Sequence, residues 1–153
     1  MFRRTVQFEI GCAPEAAFNH IAVEFFDNHP RWDPGIVELS RTSEGPVALG
    51  TTGREVREVN GRRFTSAFRV TTFEPVRAFS HRGTEGAMGE DVDYLIEPAA
   101  SGTRITFTVD IYPKTLLMRI LTPMIRPQVE RNFTSNVARF QQMLQALTPA
   151  AVA

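Results

Sequence analysis

Three histidines, two groups of acidic side chains and one run of alternating charge are the residues of this 153-residue chain with the chemistry to move a proton or hold a polar ligand. His81 shares a strand face with Phe79, which would place an imidazole inside an apolar pocket as an acid or base near neutral pH. Arg77 on the same face supports the opposite placement, in solvent. His20 lies beside Ile21 on a helix, at its polar edge, and His29 precedes Pro30 in a loop that its hydrogen bonds would fix. Asp27, His29 and Asp33 could be drawn as a metal cluster, but their spacing fixes no coordination geometry. Turn and capping roles account for them better, and no metal is expected. Glu90, Asp91 and Asp93 open a strand, where alternation sets Asp91 and Asp93 opposite Val92 and Tyr94, on a solvated face. Arg54, Glu55, Arg57 and Glu58 alternate in sign, the pattern of cross-strand surface pairing, which contributes little energy. An arginine turned inward from that strand would anchor a ligand carboxylate. His81, Tyr94 and Arg54 are therefore the candidate catalytic residues.

Several chemistries are absent. Gly83, Gly86 and Gly89 do not form a dinucleotide fingerprint, and no nucleophile elbow, phosphate-binding loop or zinc motif occurs, so no cofactor is expected. Seventeen basic and seventeen acidic residues cancel, which argues against non-specific attraction to nucleic acid, and Arg62-Arg63 is too small a basic cluster to reverse that. Lys114 is the single lysine against sixteen arginines, a bias that reads as bacterial and GC-rich. Cys12 stands alone, so no intrachain disulfide can form. No apolar run precedes a cleavage site or approaches the roughly 18 residues of a membrane span. The expected location is cytoplasmic, which makes the sequon Asn132-Phe133-Thr134 coincidental.

The elements that must position these residues are mostly strands. Phe2, Val6, Phe8 and Ile10 alternate with polar residues as a half-buried strand. Ala13-Pro14-Glu15 starts a short helix whose inward stripe is Ala17, Phe18 and Ile21. A second short turn around Val23 to Phe26 leads into residues 27–35, which read as a structured loop because both X-Pro steps resist helix. Strands follow at 36–41, 51–59 and 63–73, the last two joined by Asn60-Gly61. Phe64, Phe68 and Val70 share one face. Residues 77–82 form a further strand, a glycine-spaced loop spans 83–89, and strands at 91–97 and 105–111 complete an antiparallel meander.

The C-terminal stretch, residues 122–147, reads as one long amphipathic helix. At about 100° per residue, Val129, Phe133, Val137, Phe140, Leu144 and Leu147 fall in one arc, with Asn132 and Asn136 at its margin. Leu117, Leu121 and Met124 form a displaced stripe, and Pro123 and Pro127 lie between the two. The pattern predicts a break or kink near residues 122–127, with Thr122 capping the second segment. One domain over residues 1–147 is expected, with a frayed tail at 148–153.

Taken in order, Ala13-Pro14-Glu15-Ala16-Ala17-Phe18, His29-Pro30-Arg31-Trp32-Asp33-Pro34, Glu44-Gly45-Pro46, Gly50-Thr51-Thr52, Phe73-Glu74-Pro75 and Gly102-Thr103-Arg104-Ile105-Thr106 resemble the START/SRPBCC (helix-grip) superfamily. The likeness is to its polyketide cyclase/dehydrase and lipid-transport group. It implies an α+β fold: a curved antiparallel sheet wrapped around a long C-terminal helix, with two short N-terminal helices and an elongated pocket between sheet and helix. The pocket residues would be Trp32, Phe64, Phe68, Phe79, His81, Tyr94 and Phe107 from one side, and Val129, Asn132, Phe133, Asn136 and Phe140 from the helix. Twelve phenylalanines against two tyrosines suit an apolar lining; the same aromatics would equally serve as a filled core.

Three functions follow from that expectation. The first is binding or transport of a small hydrophobic molecule such as a lipid, polyketide or isoprenoid. The second is a polyketide cyclase, aromatase or dehydratase acting in the same cavity, which needs mainly positioning and one or two proton-transfer groups. The third is a protein- or membrane-interaction module using residues 116–125 as a lid or partner surface. The chain is read as a monomer or homodimer.

Overall fold

Alternation puts apolar side chains on one face of each strand, and that face has to be covered. Strand β1 (Phe2–Ile10) is followed by helix α1 (Pro14–Phe18), a π-helical turn (Asn19–Val23) and helix α2 (Phe25–Trp32). Six strands come next: β2 (Ile36–Arg41), β3 (Thr52–Val59), β4 (Arg62–Glu74), β5 (Ala78–Glu85), β6 (Met88–Ala99) and β7 (Gly102–Pro113). Helix α3 (Leu116–Gln145) closes the chain. This computed structural model describes residues 2–147; the tail expected at 148–153 lies outside them.

The strands pair antiparallel in the order β1-β7-β6-β5-β4-β3-β2. Register shifts between Ile36 and Glu38 interrupt the β2–β3 ladder, and shifts between Ala67 and Phe68 and between Val70 and Thr72 interrupt the β4–β5 ladder; an extra residue on one side of a ladder kinks it and raises its twist. The open sheet curls around α3 in the helix-grip arrangement. Phe133 of α3 packs edge-on to Phe2 at 5.4 Å and stacks on Phe107 at 6.0 Å, and Phe140 meets Phe8 at 5.9 Å. The β3–β4 hairpin turns at Asn60 (φ 52°) and Gly61 (φ 76°), the left-handed pair that a two-residue turn requires. Gly53 on β3 faces Phe68, whose ring occupies the space where a Cβ would stand.

Four local expectations fail, each for a physical reason. Residues 25–32 are a helix and not a loop: Phe25, Asn28, His29 and Trp32 recur at helical spacing and are buried, and that burial outweighs the missing N–H of Pro30. His20 sits in the buried π-turn and not at a polar edge. The glycine loop shrinks to Gly86-Ala87, because the Tyr112 ring covers Gly89 and keeps it in the sheet. Helix α3 is unbroken from 116 to 145. Thr115, not Thr122, is its cap, accepting from the Met118 amide at 3.2 Å, while the Thr122 hydroxyl donates to the Met118 carbonyl at 2.7 Å. Pro123 and Pro127, four residues apart, both lie on the exposed side, where water can satisfy the carbonyls they leave free, so the core-side ladder survives.

One side of the first turns of α3 faces outward: Leu116 is 74% and Met124 78% exposed, with Leu117 and Ile120 similarly open, while Met118 on the other side is buried. No helix of the described residues is long and apolar enough to cross a membrane.

Replacing Gly53 by Ala pushes the Phe68 ring out of place and should cost about 1–3 kcal/mol, the range for overpacking a filled core. Urea denaturation measures it; an unchanged midpoint would mean that Phe68 is not held against the β3 backbone.

Candidate functional site

The concave face of the sheet carries a charged cluster within its apolar surroundings. On β3, Glu55 and Arg57 point inward opposite Ser66 and Phe64, while Arg54 points outward and pairs with Glu38 at 2.9 Å. The inward arginine is therefore Arg57, and the assignment of Arg54 is corrected: strand parity fixes which of two alternate residues faces in, and composition does not. Arg57 donates through both terminal nitrogens to Asp33, at 3.1 and 2.9 Å, and through Nε to Glu55 at 3.0 Å. Glu90 of β6 lies 3.8 Å from the same guanidinium. Asp33 follows α2 and also faces His29 Nε2 at 3.8 Å. Asp27 is exposed and takes no part, and no cluster of metal-binding geometry occurs among the described residues.

Electrostatics divide the carboxylates. Burial alone would raise the proton affinity of Asp33, but the Arg57 charge and the His29 contact reverse this and hold the carboxyl well below its ordinary range. Glu90 goes the other way. Burial pushes it up, Arg57 only partly opposes this, and the nearby Glu55 and Asp33 charges add to it, leaving the carboxyl at about 7. Three carboxylates share one guanidinium, and Glu90 has the longest contact. The Tyr94 hydroxyl is pushed well above its usual range by burial and by the same three carboxylates.

His81 stands on β5 opposite Val92, only 4% exposed, and neither ring nitrogen has a hydrogen-bond partner among the described residues. Burial, then His29 and Arg82, keep it neutral, with its proton affinity well below the usual value. Its ring lies 5.2 Å from both Phe25 and Phe68 and 6.0 Å from Phe79. The expectation of a solvent-facing His81 rested on Arg77, which lies before the strand begins and pairs with Glu74 in solvent.

The expected lining residues separate into three groups. Trp32, Phe68, Phe79, His81, Tyr94, Phe107 and Phe140 are buried together. Trp32 stacks on His29 at 4.3 Å and on Phe140 at 4.6 Å, and Tyr94 stacks on Phe107 at 5.0 Å. These rings fill the centre between sheet and helix. Asn132 and Asn136 line a polar cleft of about 240 Å³ with Asp33, Gly35, Asn60 and Arg139; Arg139 donates to the Trp32 carbonyl and to Asn136. Phe133 packs over Phe107, while Phe64 and Val129 are half-buried outside the central cluster. The cleft reaches the charged cluster through Asp33.

Glu90, Asp33, Glu55 and Arg57 were missed as site residues, and part of the signal was available. The alternation that set Asp91 and Asp93 outward sets Glu90 inward with Val92 and Tyr94. Those outward residues do lie outside, Asp93 bonded to Ser80 and Arg82, and Asp91 3.3 Å from the Tyr112 hydroxyl. Asp33 was hidden by the mistaken loop.

The family model described as polyketide cyclase / dehydrase and lipid transport matches residues 1–145. No curated protein sequence matches the chain. Among solved structures, a protein from Thermus thermophilus superposes with a TM-score of 0.74 at 13% identity, over 95% of this chain and 99% of that one. An aromatase/cyclase from a Streptomyces species gives 0.73 at 14% identity, over 94% and 92%. A START superfamily protein from Mycobacterium smegmatis gives 0.69 at 16%, over 96% and 98%. At these identities the likeness is one of fold.

Two stability measurements test the electrostatics. Arg57→Met strands Asp33 and Glu55 without their cation and should cost about 3–5 kcal/mol at neutral pH, the scale for breaking a buried pair. Glu90 has a folded value, about 7, above its ordinary 4.5, so the folded state holds this proton more tightly and its contribution to stability is lost as pH rises between those values. Glu90→Gln should therefore stabilise the protein relative to wild type at pH above about 7 and lose that advantage toward pH 4.5; a pH-independent difference would contradict the assignment.

Proposed function

The chain belongs to the polyketide cyclase / dehydrase and lipid transport family, and from that premise we propose that it binds a small, mostly apolar molecule bearing a polar end. The polar end sits at the Arg57–Glu90 cluster, and the apolar body enters between Trp32, Phe68, Tyr94, Phe107 and Phe140. The observation that carries this reading is the adjacency of a buried, incompletely partnered polar cluster to a continuous aromatic wall, the combination that ligand sites use to fix orientation and gain affinity. The cleft of about 240 Å³ is polar and touches none of these rings, which pack against one another, so the apolar body enters only if the ring cluster or α3 gives way.

A second reading, a cyclase or dehydratase, is favoured by Glu90 and His81. A carboxyl poised at about 7 and a neutral imidazole with free nitrogens can pass a proton to and from a bound ketone chain. In that case His81→Ala or Glu90→Gln should lower turnover of a true substrate by about 10²–10⁴-fold, the usual contribution of an acid–base group, with the substrate still bound.

Native mass spectrometry of freshly purified protein tests the binding reading. It predicts a co-purified mass lost on organic extraction, and saturable uptake of an environment-sensitive apolar dye. Absence of both would overturn it.

A further inference from the structure

The polar cluster has an uneven charge count. Facing Glu90 are His29 from α2 and Asp33 just after it, Glu55 and Arg57 from β3, His81 from β5 and Tyr94 from its own strand. Arg139 of α3 is engaged by the Trp32 carbonyl and Asn136. Three carboxylates stand against the one guanidinium of Arg57. Arg57 commits three of its five N–H groups to Asp33 and Glu55, and its Nη2 stands 3.8 Å from Glu90, beyond hydrogen-bond distance. Glu90 is not fully enclosed, its side chain being 29% exposed. His81 is opposite Val92, two residues along the same face, and diagonal neighbours of this kind lie about 7–8 Å apart. Both His81 nitrogens lack a partner among the described residues.

Resting on the binding reading above, including the opening of the ring cluster that it requires, we propose that the polar end of the ligand is a protonated amine, seated between Glu90 and His81 with its apolar body against Phe68 and Tyr94. An ammonium brings N–H donors and a positive charge, and this site has a carboxylate that shares its nearest cation, 3.8 Å away, with two others and an imidazole nitrogen with no donor among the described residues. A ligand carboxylate would meet three like charges. The surrounding rings add cation–π attraction. A neutral carbonyl suits the same place only while Glu90 carries its proton, since it then finds a donor there.

Calorimetry with phenethylamine, phenethyl alcohol and hydrocinnamate tests this, because the three share an apolar body and differ in charge. The amine should bind roughly ten- to hundredfold tighter than the alcohol, the range of a hydrogen bond to a charged group, and the acid weakest. Amine affinity should fall as pH drops from about 8 to about 5.5 while the amine stays charged, because protonating Glu90 removes its anion. Glu90→Gln should bring the amine-to-alcohol ratio close to one. An alcohol bound as tightly as the amine, affinity that rises on acidification, or a ratio that survives Glu90→Gln would overturn the proposal. If none of the three binds while an apolar dye does, the amine assignment fails and hydrophobic binding stands; if the dye also fails, the underlying reading fails with it.

Discussion

One guanidinium serving three carboxylates on the inner face of the sheet is the constraint on which the site depends. Removing a charge from water costs several kcal/mol even after relaxation, about 20 in the idealised limit, so a buried Arg is tolerated only when its donors are satisfied. Arg57 meets that condition by spanning three elements: Asp33 at the end of α2, Glu55 on its own strand and Glu90 on β6. The pairing sets where α2 ends against the sheet and keeps Asp33 ionised. It also leaves Glu90 as the third claimant on one cation, which is why the two acids respond oppositely to a common environment. A difference between neighbouring carboxyls is the property that both ligand selection and proton transfer use.

Around that cluster the aromatics supply rigidity. Trp32 is stacked between His29 and Phe140, so the same side chain touches the polar group and the grip helix. His81, enclosed by Phe25, Phe68 and Phe79, is kept neutral by desolvation and is left with nitrogens that no described protein group satisfies. Buried unsatisfied polar atoms are costly, by about 1–3 kcal/mol each. Their persistence beside an aromatic wall links packing to the proposed function: the fold holds open a hydrogen-bonding demand that a ligand can meet. Helix α3 contributes unequally, its second half buried through Phe140 and Leu144 and its first turns held only through Met118, with Leu116, Leu117, Ile120 and Met124 exposed.

The architecture was legible because strand periodicity, Asn60-Gly61 and the α3 stripe each report local geometry, and the global fold agrees with all three. The site was less so. Arg54 and Arg57 differ only in which side of β3 they occupy, and an alternating charge run gives no apolar marker of the inner face. Glu90 was readable from the same alternation that placed Tyr94, had it been applied one residue earlier. The α2 helix was obscured by Pro30, whose local preference lost to the burial of Phe25, His29 and Trp32. The continuity of α3 through Pro123 and Pro127 depended on both prolines facing solvent, a tertiary fact that no local rule contains.

The central claim is that Glu90 is an under-compensated carboxyl at the ligand end of the grip. Carbon-detected NMR titration of its carboxyl group tests this most directly. The account predicts a midpoint near 7 in the free protein that moves down when a cationic ligand binds. A midpoint in the ordinary glutamate range, about 4.3, and indifferent to any ligand would contradict it.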